Sequence, residues 1–230
     1  MRGITNISGS ATRLWRVFLP AVLMAMMAAT AFAAPSFRGY TGLVLIPTAR
    51  VLDVGDYDFG VTSEDREGSQ LNNIFVTFSP KKNLELGANA FRAPGSDSRK
   101  LLVNAKYQLA SETEEAASIA IGIIDLCNEI DATPYAVASK SIVRHARLFK
   151  NQRFSIRGHA GIGFGDMDAL FVGLAAYAGN RIMLSVEWDS HDVNFGFRFT
   201  PVKGLRLHTA ILGSSDTDHV GLGVSYTKRY

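Results

Sequence analysis

The sequence predicts an all-β protein, an antiparallel up-and-down transmembrane β-barrel of about 12 strands. Three observations lead there. Past an N-terminal apolar run, the chain alternates polar and apolar residues with period two between turn residues. No sustained helical period interrupts this pattern. Most alternating segments are about ten residues long, which suits a tilted strand crossing a bilayer. The 230 residues suffice for one domain with a sizeable core, and the apolar and aromatic content excludes disorder.

The first element is an export signal. Arg13 and Arg16 precede an apolar run from Val17 that closes on Ala31–Phe32–Ala33, a small-x-small cleavage signature. A retained anchor is the alternative, since about 17 residues nearly span a bilayer; Pro20 and the alanine-rich end favour cleavage. Residues 1–33 are therefore read as signal peptide, 34–54 as a segment capping or entering the lumen, and 55–230 as the barrel. Of the 24 basic residues, Arg2, Arg13 and Arg16 lie in the signal, so residues 34–230 hold 21 bases and 21 acids. That balance excludes nucleic-acid binding through bulk charge. Cys127 is the only cysteine, which excludes an intrachain disulfide.

The predicted strands follow in order near 55–64, 70–79, 82–92, 98–108, 115–124, 133–145, 152–163, 168–178, 180–189, 192–200, 203–212 and 217–229. Their alternation is plain in several. Leu84, Leu86, Ala88 and Ala90 interleave with Asn83, Glu85, Gly87 and Asn89; Val193, Phe195, Phe197 and Phe199 interleave with Asn194, Gly196, Arg198 and Thr200. A secreted sandwich also alternates. Here one face is almost purely aliphatic and aromatic while the other mixes charges with Gly and small residues, which fits apolar-to-lipid and polar-to-lumen. Turns add support: Ser79–Pro80–Lys81–Lys82–Asn83, Ala178–Gly179–Asn180–Arg181 and Pro201–Val202–Lys203–Gly204 are tight and several are basic. Glu64–Asp65–Arg66–Glu67, Asp125 to Asp131, Asp166–Met167–Asp168, Asp189 to Asp192 and Asp216–Thr217–Asp218 are acidic, and Ser111–Glu112–Thr113–Glu114–Glu115 breaks the pattern. Tyr230 ends the chain on an aromatic residue, as outer-membrane strands used for insertion do.

Residues 38–91 carry a resemblance. Arg38–Gly39–Tyr40–Thr41–Gly42–Leu43, then Ile46–Pro47–Thr48–Ala49–Arg50–Val51–Leu52 and Gly55–Asp56–Tyr57–Asp58–Phe59–Gly60, stand ahead of Phe78–Ser79–Pro80 and Leu84–Glu85–Leu86–Gly87. Together they resemble the YjbH-type family of exopolysaccharide-associated outer-membrane barrel proteins, the clearest part being Thr41, Gly42, Leu43 with Pro47, Thr48, Ala49 and Arg50. The better-known members are several hundred residues longer, so this chain matches as a short, single-barrel form. The resemblance implies an outer-membrane location, outer-membrane lipid as surroundings, and a tie to an exopolysaccharide and its secretion machinery; that the partner is an acidic exopolysaccharide is read from the inward Arg and Lys residues. It supplies no catalytic residue. Read physically, Gly42 and Pro47 bracket a short apolar segment that caps or enters the barrel, a structural plug with ligand binding as the alternative, and Arg50 is expected to pair with a lumen carboxylate such as Glu85 or Glu187.

Catalytic and metal chemistry is thin. His145, His159, His191, His208 and His219 show no compact metal spacing, and no cofactor is implied. Asp189–Ser190–His191–Asp192 has triad residue types, but neighbouring positions point to different sides. Ser155 and His159 share a face, without an acidic orienter; His208 and Ser214 stand six apart. Gly161, Gly163 and Gly165 lack the helix and Lys–Ser/Thr of a phosphate loop and fit a crowded strand. Parity points Lys106, Lys140, Arg144, Arg153, Arg157, Arg181, Arg198 and Arg206 inward with His159 and His208, against Asp58, Glu85, Glu187 and Asp189. That inventory predicts a net-basic lumen. Three functions remain open: a non-enzymatic barrel serving exopolysaccharide export or assembly, an anion-preferring small-solute channel, and a barrel-embedded lipid or glycan hydrolase.

Overall fold

A computed structural model describes residues 33–66, 69–93, 95–148, 152–213 and 219–229. The expected signal peptide, apart from Ala33, lies outside them, as do Ser214, the 216–218 turn and Tyr230. The strands are β1 (Tyr57–Arg66), β2 (Ser69–Lys81), β3 (Leu84–Arg92), β4 (Lys100–Ala110), β5 (Ser118–Ile124) and β6 (Thr133–Leu148). β7 (Gln152–Gly163), β8 (Ala169–Ala178), β9 (Ile182–Trp188), β10 (Val193–Phe199), β11 (Leu205–Leu212) and β12 (His219–Lys228) complete a closed barrel. Every neighbour is antiparallel, and the seam joins β1 to β12 with Tyr57 opposite Lys228 and Val61 opposite Val224. Closure leaves no unpaired strand edge, the condition for a β structure in hydrocarbon.

The alternation sorts the side chains as a bilayer requires. Val61, Ile74, Ile121, Leu174, Leu184, Phe197, Leu207 and Val224 are exposed on the outer wall, whereas Asp58, Asn73, Glu85, Asn89, Lys106, Glu187, Arg198, Arg206 and His208 are buried inside. Aromatic residues mark the outer rim near the termini, where Tyr57 stacks on Phe78 and Phe59 tilts against Tyr226, as aromatic girdles do at a membrane interface. Four of the five strand connections at this mouth span only two to five residues. Asn83 turns β2 into β3 with a left-handed φ of 68°, a conformation Asn tolerates. The register shifts of β2–β3, β4–β5 and β6–β7 lie towards this mouth too.

Several strand boundaries move by two or three residues from the sequence expectation. Glu64, Asp65 and Arg66 belong to β1 and not to a loop, and Glu64 is fully buried inside. β5 starts at Ser118, leaving residues 111–117 as the β4–β5 connection.

Candidate functional site

The lumen holds the chain's own residues 33–53. Phe37, Tyr40, Leu43, Val44, Ile46, Ala49 and Leu52 of this insert are all buried. It folds on itself through short-range bonds: Phe37 N–H donates to the Val44 carbonyl at 2.8 Å, Thr48 N–H to Thr41 at 3.2 Å, and Gly42 pairs with Pro47 as an isolated bridge. Gly42 has no room for a side chain, since a Cβ there would lie 2.4 Å from the Ile46 carbonyl oxygen.

Polar side chains of the wall complete the insert's backbone bonding. Glu187 on β9 accepts the N–H groups of Val44, Leu45 and Ile46 at 2.9, 2.6 and 3.3 Å. Across the barrel on β3, Glu85 accepts Thr41 N–H at 2.9 Å and Leu52 N–H at 3.1 Å, and pairs with Lys106 on β4. Arg198 Nη2 on β10 donates to the carbonyls of Pro35, Gly42 and Leu43. Thr62 and Asn73 donate to the Phe37 carbonyl, Thr77 to that of Gly39, and Arg38 pairs with Glu64. In a barrel of twelve strands, β3 and β9 stand on opposite walls, so two carboxylates grip the insert from both sides. Buried amides need such acceptors.

Apolar fit is equally specific. Tyr40, Leu43, Ile46 and Ala49 pack on a lumen patch of Ala120, Tyr135, Val137, Phe171, Ala175 and Met183. Inward glycines lie under insert side chains: a Cβ would sit 2.7 Å from Ile46 at Gly173, 2.5 Å from Val44 at Gly196, and 2.6 Å from the Phe37 ring at Gly221.

Several sequence expectations need correction. Arg50 was expected on Glu85 or Glu187; Glu85 pairs instead with Lys106, and Glu187 is taken by three amides. Lys140 is not in the lumen: it sits opposite Gly158 between Ala138 and Ile142 on the outer wall, and its Nζ reaches the carbonyls of Thr113, Glu114 and Ala116. Long cationic side chains commonly snorkel in this way. Arg144 reaches Glu112 at the mouth with 40% of its side chain exposed. Arg153 is exposed at the start of β7 and Arg181 lies in the β8–β9 turn. Asp189 caps its own loop by accepting the N–H groups of His191 and Asp192. Lys106, Arg157, Glu187, Arg198 and Arg206 do face inward and are buried. With Glu64 included, the wall buries Asp58, Glu64, Glu85 and Glu187 against Lys106, Arg157, Arg198 and Arg206. Among the described residues the buried wall charges are thus balanced, four against four, without the expected basic excess.

The Ser155–His159 pairing does not form the buried serine–histidine contact. His159 Nδ1 instead meets Ser139 Oγ at 2.8 Å across β6 and β7, and that hydroxyl oxygen accepts Ala49 N–H at 2.9 Å. This pair holds the insert. Ser139, Gln108, Asn73, Thr62, Glu64 and Glu112 are the functional side chains the sequence reading missed. For the five on strands, inward parity was the available signal, but nothing in the sequence told it from ordinary lumen polarity; Glu112 lies in the β4–β5 connection, where parity says nothing.

Near the termini, a cavity of about 320 Å³ opens beside the insert. Arg50, Asp53, Asp56, Gln108, Glu112, Arg157 and Arg229 line it. Glu112 bonds Ser141 N–H at 2.9 Å and pairs with Arg144 and Arg157. Burial pushes the Glu112 carboxyl up, but the Ser141 hydrogen bonds and the Arg157 charge together hold it at about 2.

This fold and lumen define a closed, antiparallel up-and-down barrel of twelve strands with an internal segment. Among solved structures, the chain is similar to the KdgM porin at 12% identity and a TM-score of 0.50, with 75% of this chain and 99% of that one covered. A structure of the KdgM porin in complex with disordered oligogalacturonate aligns at 13% identity and a TM-score of 0.51, covering 76% and 99%. No family model and no curated protein matches the sequence.

Proposed function

We propose that the protein is a non-enzymatic outer-membrane channel for small solutes, closed at rest by residues 33–53, and that acidic oligosaccharides are the solutes it suits. One observation carries the reading. Ala33 and Asp53 both line the cavity at the terminal mouth, so the insert enters and leaves the lumen by one opening and can withdraw without threading through the barrel. Outside the apolar patch under Tyr40 and Ile46, the wall it would uncover is polar and carries buried charges of both signs, hence wettable. The rim at that mouth carries Lys140, Arg144, Arg153, Arg181 and Arg229, which favours anions approaching from that side. The likeness to a porin captured with oligogalacturonate supports the acidic class.

Planar-bilayer recordings test this. The mature chain should show little conductance, and a chain lacking residues 34–54 should form stable open channels that acidic oligosaccharides block. A deletion variant that folds as a barrel yet never conducts would refute the channel. A second reading, association with exopolysaccharide export and its machinery, is favoured by the Thr41–Arg50 motif. Loss of secreted polymer on deleting the gene, with no change in small-solute uptake, would select it.

A further inference from the structure

We propose that removal of the export signal between Ala33 and Ala34 creates a ligand for the barrel wall: the new α-ammonium of Ala34 binds Asp58 on β1 and locks the insert in the lumen. The proposal rests on the Ala31–Phe32–Ala33 cleavage signature and is independent of conduction. Two unsatisfied groups near the terminal mouth carry it. Asp58 is fully buried; its Oδ2 lies 3.5 Å from Arg206 Nη1, while its Oδ1 has no hydrogen-bond partner. Ala34 is only 8% exposed, and among the described residues its N–H donates to no acceptor. One guanidinium connects the two, since Arg206 Nη2 donates to the Ala33 carbonyl at 3.3 Å. The scissile peptide and the carboxylate with the free oxygen therefore flank the same side chain.

Processing changes the chemistry at both ends of that guanidinium. Before it, the Ala34 nitrogen is a neutral amide, and the Ala33 carbonyl occupies Arg206 Nη2. Cleavage takes that carbonyl away with the signal and leaves a terminal amine. Its ordinary pKa of about 7.7–8.0 keeps it largely protonated at pH 7. A buried charge is costly without an opposite partner, and a buried carboxylate oxygen is costly without a donor. The ammonium and Asp58 Oδ1 meet both needs. Asp58 then bridges Arg206 through Oδ2 and the chain's own N-terminus through Oδ1. The residues around Ala34 are already held in place for it. The Ala34 carbonyl accepts Gly42 N–H at 3.0 Å, Pro35 pairs with Thr41 as an isolated bridge, and the Pro35 carbonyl accepts Arg198 Nη2 at 2.7 Å. Asp56, at the same mouth, lies 3.6 Å from Arg229 and is the acceptor a test has to separate from Asp58. An uncleaved chain lacks this last tie, so the insert is locked only once export is complete.

Mass spectrometry and amine labelling of the exported chain in detergent micelles test the site. The first residue should be Ala34, and any other N-terminus would overturn the proposal. With N-hydroxysuccinimide acetate at pH 7, the Ala34 amine should react at least tenfold more slowly in the wild type than in Asp58→Asn. The exposed Lys82 and Lys203 serve as internal reference. Asp56→Asn should leave the rate unchanged. A second comparison keeps the wall intact and stays decisive if Asp58→Asn folds poorly: one glycine added before Ala34 moves the ammonium by about 3.3–3.6 Å. Hydrogen exchange of Gly42 N–H, which donates to the Ala34 carbonyl, should then speed up about tenfold. Equal labelling in the wild type and Asp58→Asn, faster labelling in Asp56→Asn instead, or equal Gly42 exchange with and without the added glycine would each overturn the site. None of these readouts involves conductance, so the site and the channel stand or fall separately.

Discussion

Replacing Glu187 by Ala should release the insert while leaving the barrel intact. The carboxylate is buried and accepts three amides of the insert, two of them at 2.9 Å or less. A hydrogen bond to a charged group contributes about 1.5–3 kcal/mol net. Counting the two short bonds and discounting the third at 3.3 Å, the loss is about 4 kcal/mol, part of it the cost of stranding amides away from water. At about 1.4 kcal/mol per decade, the docked-to-undocked ratio should fall by nearly three decades. Hydrogen exchange reads this at named positions, because local opening sets amide protection. Val44, Leu45 and Ile46 should lose about a thousandfold of protection, while Leu184 and Val186 on β9 should keep theirs. Glu187→Gln, which retains one carbonyl acceptor, should fall between. If the three amides stay protected in Glu187→Ala, the carboxylate is not the anchor and the account of the lumen fails.

Other perturbations address other parts of the argument. Gly221→Val places a branched side chain where a Cβ alone would lie 2.6 Å from the Phe37 ring; it should displace the insert while heat-modifiable gel migration shows a folded barrel. Leu184→Arg puts a charge on an exposed position of the outer wall and should cost about 2–4 kcal/mol in lipid near mid-bilayer, measured as a lower urea midpoint in bilayers; no cost there would argue against lipid on that face. Acid should loosen the mouth late. The Glu112 carboxyl is depressed to about 2, so its contribution is present above its ordinary value near 4.5 and is lost as pH falls towards 2. Exchange protection of Ser141 N–H should therefore hold flat above pH 4.5, and a loss at pH 5–6 would show another group in control.

The strands were largely legible because period two is written directly in the residues: all twelve β strands overlap the predicted segments. Where both faces are apolar, parity says little. β8 reads Ala-Leu-Phe-Val-Gly-Leu-Ala-Ala-Tyr-Ala, and only the structure shows Phe171 turned inward onto the insert. Charge misled at Lys140, whose long stem lets an outward residue place its ammonium at the rim. Glu64 was missed because its partner Arg38 lies in the insert, and strand periodicity carries no information about a contact across 26 positions. The lumen ligands could be placed on the inner face but not matched to the backbone groups they hold, since those pairings reach across up to 173 residues.

The seam between β1 and β12 has a consequence for how the molecule is assembled. It joins positions near 57 and 228, so the wall cannot become a cylinder until the last strand of the chain has been made. The insert immediately precedes β1 and lies on the terminal side of that seam. Nothing in the topology obliges the wall to close around it. The cylinder can form first, filled with water, and then exchange that water for Tyr40, Leu43 and Ile46 through the mouth where the chain begins. In that sequence of events the insert, made before any of the strands, is the last of these parts to reach its native place.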